Sequence, residues 1–109
     1  MMLMVLEPPV QYDHAYHGTV IEQHLSSLQL VFLCHGFTSA CSWVNKAGVC
    51  HIVISGTEKD SRVIALVRRH ETGHCNGWPG HHPNGRWFDV KSGQETSAPK
   101  TARLNFRLF

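Results

Sequence analysis

The stretch Arg69-His70-Glu71-Thr72-Gly73-His74-Cys75-Asn76-Gly77-Trp78-Pro79-Gly80-His81-His82 decides how the chain is read. On a helix, the four-residue step from His70 to His74 turns both imidazoles to one face, one turn apart. Two imidazoles so placed can share a metal ion. Zinc suits them, because it takes neutral nitrogen ligands at about 2.0–2.1 Å in a tetrahedron, and a catalytic zinc needs three protein ligands with one position left for water. Glu71 follows the first histidine and so lies about 100° around the helix, where its carboxylate reaches that water rather than the metal. Its expected role is general base.

Working outward, the residues on either side predict a helix with a sharp stop. Ser61 to Arg69 holds good helix formers without Gly or Pro, and Asp60 or Ser61 is available as N-cap. Val63, Leu66 and Val67 continue the face that carries the two histidines. Gly77 is placed for the left-handed conformation that ends a helix, and Pro79 prevents its continuation. The helix is therefore expected from about Ser61 to Asn76. The reversal beyond it can return His81 or His82 over the pair as a third ligand. Glu95 is a further candidate for that place, as in sites where a glutamate completes two histidines, although the run from Ser92 to Pro99 around it is loop-like.

The pattern His70-Glu71-x-x-His74-x-x-Gly77-Trp78-Pro79-x-x-His82 resembles the zincin metallopeptidases, in particular small bacterial and phage-associated proteins that carry H-E-x-x-H-C-N-G-W-P with a histidine soon after. The likeness is dense from Val63 to Pro83 and thinner from Ala40 to Ser55. It implies a zinc-dependent peptidase in which His70, His74 and His82 hold Zn²⁺ and Glu71 is the base. The narrower metzincin pattern is not matched: Gly80 stands where its third histidine would fall, and no methionine follows Met4 to make a Met-turn.

Length sets the frame for the rest. A chain of 109 residues is read as a single domain, 1–109, with room for a modest core. With 42% hydrophobic and 17% charged residues it has the composition of a globular protein rather than a disordered one. A net charge of +2 gives no case for nucleic acid or an anionic membrane. Met1 to Leu6 is apolar but too short for a leader or a membrane span and runs into Pro8-Pro9, so it reads as an edge strand and the cytoplasm as the default address.

Two strand-like runs, 38–44 and 49–55, flank the turn residues Asn45-Lys46-Ala47-Gly48 and predict a hairpin. Alternation puts Val49, His51 and Val53 on one face of the second run and Cys50, Ile52 and Ile54 on the other. Cys41 and Cys50 face each other in this reading, and in a cytosolic protein they stay reduced and simply pack; Cys75 reads as a small buried side chain. Leu28 to Cys34, bracketed by Ser26 or Ser27 and Gly36, is expected to be a helix, with a buried strand as the alternative that periodicity does not separate, and to serve the core in either form. His14 and His17 read as solvated loop residues, and Trp87 with Phe88 as cover for the main helix. Leu104, Phe106, Leu108 and Phe109 suggest a last strand or docked end.

The expectation is thus an α+β fold: a small zincin-like domain whose short sheet, built from Met2–Leu6 and the 38–55 hairpin, packs on the helix that carries the site. The expected activity is hydrolysis of a peptide or protein substrate, with a protein partner or homo-oligomer as the means of widening so small a binding surface. The alternative is a non-catalytic zinc-binding protein whose metal holds the fold together.

Overall fold

The computed structural model describes residues 3–99 and 108–109. Its architecture is α+β, with two helices and two three-stranded sheets among the described residues. The strands are β1 (Met4–Glu7), β2 (Val20–Leu25), β3 (Ala40–Val44), β4 (Cys50–Ser55), β5 (Arg86–Asp89) and β6 (Glu95–Thr96), and the helices are α1 (Ser27–Cys34) and α2 (Ser61–Cys75). No helix among the described residues is long and apolar enough to cross a membrane.

The hairpin forms as its sequence dictates. Asn45 Oδ1 accepts from the backbone N–H of Ala47 at 2.9 Å and of Val49 at 3.0 Å, and Gly48 takes φ 79°, so the loop closes on its own polar groups. Strand β4 is central in the order β2-β4-β3 and buried on both faces. Cys50, Ile52 and Ile54 enter the main core with Val63, Leu66 and Val67 of α2, while Val53 joins Leu30, Cys34 and Cys41 on the α1 side.

That alternation corrects the reading of the cysteines. Cys41 stands opposite Val53, and Cys50 opposite Val44, so the two cysteines lie on different faces of the sheet and cannot meet. Each reaches the helix on its own side instead: Cys34–Cys41 ties α1 to β3, and Cys50–Cys75 ties β4 to the end of α2. The cysteines are disulfide-bonded rather than reduced, and Cys75 is half of a bridge rather than a packing residue.

The single expected sheet is also corrected. Strand β1 does not join the hairpin but pairs antiparallel with β5, Leu6 opposite Trp87, as the edge of a second sheet ordered β1-β5-β6. Strand β2 was not foreseen; it runs parallel to β4 from Val20↔Cys50 to Leu25↔Ser55. Its mostly exposed side chains, among them Val20, Ile21, Gln23 and His24, give it little apolar alternation to read. Helix α1 forms with a complete capping box between Ser26 and Gln29, but its core role is confined to Leu30 and Cys34, since Leu28, Phe32 and Leu33 are exposed. Its stop is His35 in the left-handed conformation, one residue before Gly36.

Helix α2 lies against β1, β3 and β4 and so touches both sheets. Asp60 caps it by accepting from the Arg62 N–H at 2.9 Å. At its other end Trp78 N–H donates to Gly73 and Gly77 N–H to His74, both at 3.0 Å, a Schellman closure in which Gly77 holds φ 107°. Gly73 lets β1 approach: a Cβ there would stand 2.6 Å from Cγ of Pro8. Asp13 fastens the same corner, accepting from Arg69 at 2.8 and 2.6 Å and from Arg86 at 2.6 Å, and this pairing with Arg69 first holds its pKa below the ordinary value. Phe88 is buried beneath Arg69 in the core that α2 covers. Leu104 and Phe106 lie outside the described residues.

Candidate metal centre

Three histidines meet at the end of α2. His74 Nε2 lies 3.2 Å from His70 Nε2 and 3.1 Å from His82 Nε2, and one ring nitrogen from each of the three falls within 4.8 Å of the others. His82 arrives because the chain reverses as its glycine and proline foretold. Its N–H donates to the Pro79 carbonyl at 3.0 Å, and its backbone takes φ 61°. His81 is exposed, and Glu95 sits on the exposed strand β6 with Arg86 Nη1 3.6 Å away, so neither joins the group.

The tautomers follow from what each ring touches. His70 Nδ1 meets the Leu6 carbonyl, and His74 Nδ1 meets the Trp78 carbonyl at 2.8 Å. A carbonyl can only accept, so each Nδ1 carries the proton and a neutral ring then presents its Nε2 lone pair to the shared point. Lone pairs converging at this range repel unless a cation stands between them. Zinc bonds of about 2.05 Å give a tetrahedral ligand-to-ligand edge of about 3.3 Å. The two short separations match that edge, so the donors fit a metal ion both in chemistry and in spacing. Backbone carbonyls behind the rings are the outer partners that fix ligand orientation at such sites.

Trp78, which the sequence offered only as part of the motif, is the packing centre of the group. It is buried, its ring stacks on His74 with centroids 4.8 Å apart, and its edge meets both His70 and His82 at 5.0 Å. Its Nε1–H donates to the Pro83 carbonyl at 2.9 Å, which pins the returning loop. Burial of this kind drives the His70 pKa well below its ordinary value and that of His82 down to about 4, keeping both rings neutral and able to ligate.

Glu71 is fully buried beside them. Its Oε1 accepts from Ser42 Oγ at 2.7 Å, while its Oε2 lies 3.9 Å from His70 Nε2 and has no hydrogen-bond partner among the described residues. Burial raises its pKa well above the ordinary value, with the Ser42 bond opposing. One oxygen is thus anchored and the other faces the histidines. Ser42 comes from β3, 29 residues away, and sequence alone offered no signal for it. The final described residues also come near the site: the Phe109 backbone lies close enough to His70 to oppose, weakly, the burial that lowers its pKa. His14 and His17 are exposed and remote from the group, as expected of loop residues.

The residues at this site could therefore hold a metal ion with a buried carboxylate beside it. No protein-family model, curated protein or solved structure matches the chain, so what the site does is argued from its own geometry.

Proposed function

We propose that the protein is a zinc-dependent peptidase of the zincin type, with His70, His74 and His82 holding the metal and Glu71 as general base. The carrying observation is Glu71 Oε2: a buried carboxylate oxygen without a hydrogen-bond partner among the described residues, 3.9 Å from Nε2 of His70, while its twin is tethered to Ser42. A metal that only braced the fold would have no use for it. The fourth ligand that such a closed site would favour is also missing from its obvious place, because Cys75 is bonded to Cys50 and cannot serve as a thiolate.

Zinc bound by such residues lowers the pKa of a water to about 7 and polarises a carbonyl. The chain's own contribution is positional. Glu71 is ionised once a cation sits beside it, since opposite charge offsets the cost of burial. Its Oε2 takes the proton of the attacking water as the new carbon–oxygen bond forms, then gives that proton to the amine nitrogen as the carbon–nitrogen bond breaks. Ser42 keeps the carboxylate from turning away, and Trp78 keeps water from the back of the histidines. The substrate is a peptide or protein, with no role for nucleic acid or membrane, and a protein partner or second copy would extend the short binding surface. Two disulfides favour an oxidising compartment over the reducing cytosol as the place of action.

The test is Glu71→Gln, which keeps the shape of the side chain without its basicity. Zinc content should stay near one per chain by metal analysis, while hydrolysis of a casein-type substrate falls by about 10² or more. Equal hydrolysis in the variant, or none in the parent, removes the catalytic reading.

A further inference from the structure

The free edge of β3 already carries a peptide segment, and it is the chain's own. Strand β3 is outermost in its sheet, and Leu108 forms a parallel bridge with Ala40 along that edge. Phe109 N–H donates to the Ala40 carbonyl at 3.2 Å, and the Phe109 backbone comes near His70. Leu108 is only 3% exposed and packs in the main core, whereas Phe109 remains 45% exposed. The Phe109 ring lies over Gly36, where a Cβ would come within 3.2 Å of its Cζ. Around it opens a cavity of about 420 Å³, walled by Leu33, His35, Cys41, Ser42 and Trp43. Ser42 belongs at once to this wall and to the carboxylate of Glu71.

These features have the form of a strand-addition site: backbone pairing along an edge, with pockets that choose the side chains. We propose that the β3 edge beside the histidines is a groove for an extended peptide carrying a bulky aliphatic residue followed by an aromatic one, with Leu108-Phe109 as its resident occupant. Leu108 defines a dry aliphatic seat. Phe109 defines a wider, half-open aromatic seat floored by Gly36. Since Leu108 and the Phe109 N–H already take up the edge at Ala40, the occupant must withdraw before another segment can pair there. The groove's role in choosing substrate rests on the peptidase reading; its peptide binding does not.

The probe is a labelled peptide Asn-Phe-Arg-Leu-Phe, the sequence of residues 105–109, with binding followed by fluorescence anisotropy in the Glu71→Gln background so that turnover plays no part. A chain lacking Phe109, and a second ending at Arg107 whose folding is checked by circular dichroism, should bind it at least about tenfold more tightly than the full chain. Gly36→Val in the chain lacking Phe109 should abolish that gain by filling the aromatic seat, and so should replacing the peptide's last residue by alanine. Equal binding to full and shortened chains, or binding indifferent to Gly36→Val and to that alanine, overturns the proposal. If the shorter chain does not fold, the one lacking Phe109 decides. Peptide binding with these dependences in a protein that hydrolyses nothing would uphold the groove and refute only the peptidase.

Discussion

One wall of the histidine site, from His70 to His82, is an unbroken piece of chain, whereas the wall facing it is assembled from Leu6, Ser42 and Phe109, which come from β1, β3 and the last described residues. The continuous wall supplies the converging nitrogens. The assembled wall sets the tautomer of His70, tethers one oxygen of Glu71 and occupies the edge of β3. The difference teaches that donor atoms can be specified by spacing alone, while their orientation and access require the whole topology. Substitution of the three histidines of the continuous wall should remove a bound metal ion; changes in the assembled wall should leave it and alter what surrounds it.

The largest effect is therefore expected at His82. Removing an outer partner of a ligand costs roughly 10–100-fold in metal affinity, and a direct ligand should exceed that. His82→Ala should weaken zinc binding by well over about 10²-fold, measured by competition with a chelator, while His81→Ala and Glu95→Gln change it little. Loss of zinc from His81→Ala with retention in His82→Ala would reverse the assignment.

The same division accounts for what was legible in the sequence. The continuous wall could be read because its steps are local: helix spacing pairs His70 with His74, Gly77 and Pro79 turn the chain, and His82 follows within one loop. Helix α1 and the hairpin were legible for the same reason, each carrying its own cap or turn. Pairings that cross the chain left no such mark. The register of β1 with β5, the parallel seating of β2 on β4 and the choice of Cys50 for Cys75 are settled by how the layers stack. The alternation that placed Cys50 and Val53 on opposite faces of β4 excludes a Cys41–Cys50 pair only together with the register, Val44 opposite Cys50 and Cys41 opposite Val53, and a turn read at 45–48 does not fix that register.

The two disulfides extend the comparison to stability. Cys50–Cys75 spans 25 residues and anchors the end of α2 that carries the histidines, whereas Cys34–Cys41 spans 7 and joins α1 to its neighbouring strand. Loop-closure entropy gives about 3.5 kcal/mol for the first and about 2.4 kcal/mol for the second. Replacing each pair by serine and measuring urea unfolding should return that order. If the shorter bridge costs more, α1 is more than a flank of the fold.

Glu7, beside the Leu6 carbonyl, tests the assembled wall through pH. It is fully buried, neither carboxylate oxygen has a hydrogen-bond partner among the described residues, and burial pushes its pKa up to about 9. With the folded value above the unfolded one, the folded state binds the extra proton between pH 4.5 and about 9, so stability is full below that window and falls as pH rises through it. Glu7→Gln removes the dependence. The variant should gain on the parent progressively above pH 4.5, by about 3 kcal/mol at pH 7. A difference that stays constant from pH 5 to pH 8.5, an interval of about 3.5 units inside the window, would mean that Glu7 is ionised in the folded protein.

The smallest effect is expected at Ser42, where the assembled wall meets Glu71. Its hydroxyl donates to Glu71 Oε1 at 2.7 Å and lies 3.1 Å from the Glu71 carbonyl, so it positions the carboxylate without engaging the three histidines. Ser42→Ala leaves a second buried oxygen of Glu71 unsatisfied, at a cost of about 1–2 kcal/mol, which corresponds to roughly tenfold in kcat/KM if it falls on the transition state. Zinc affinity should not change. Ser42→Thr, which keeps the hydroxyl, should restore most of the rate, and that rescue separates positioning from mere packing, since alanine fits the space and threonine crowds it. Should threonine fail while alanine retains full activity, the tether to Glu71 has no part in the reaction, and the orientation of the base would have to come from α2 alone.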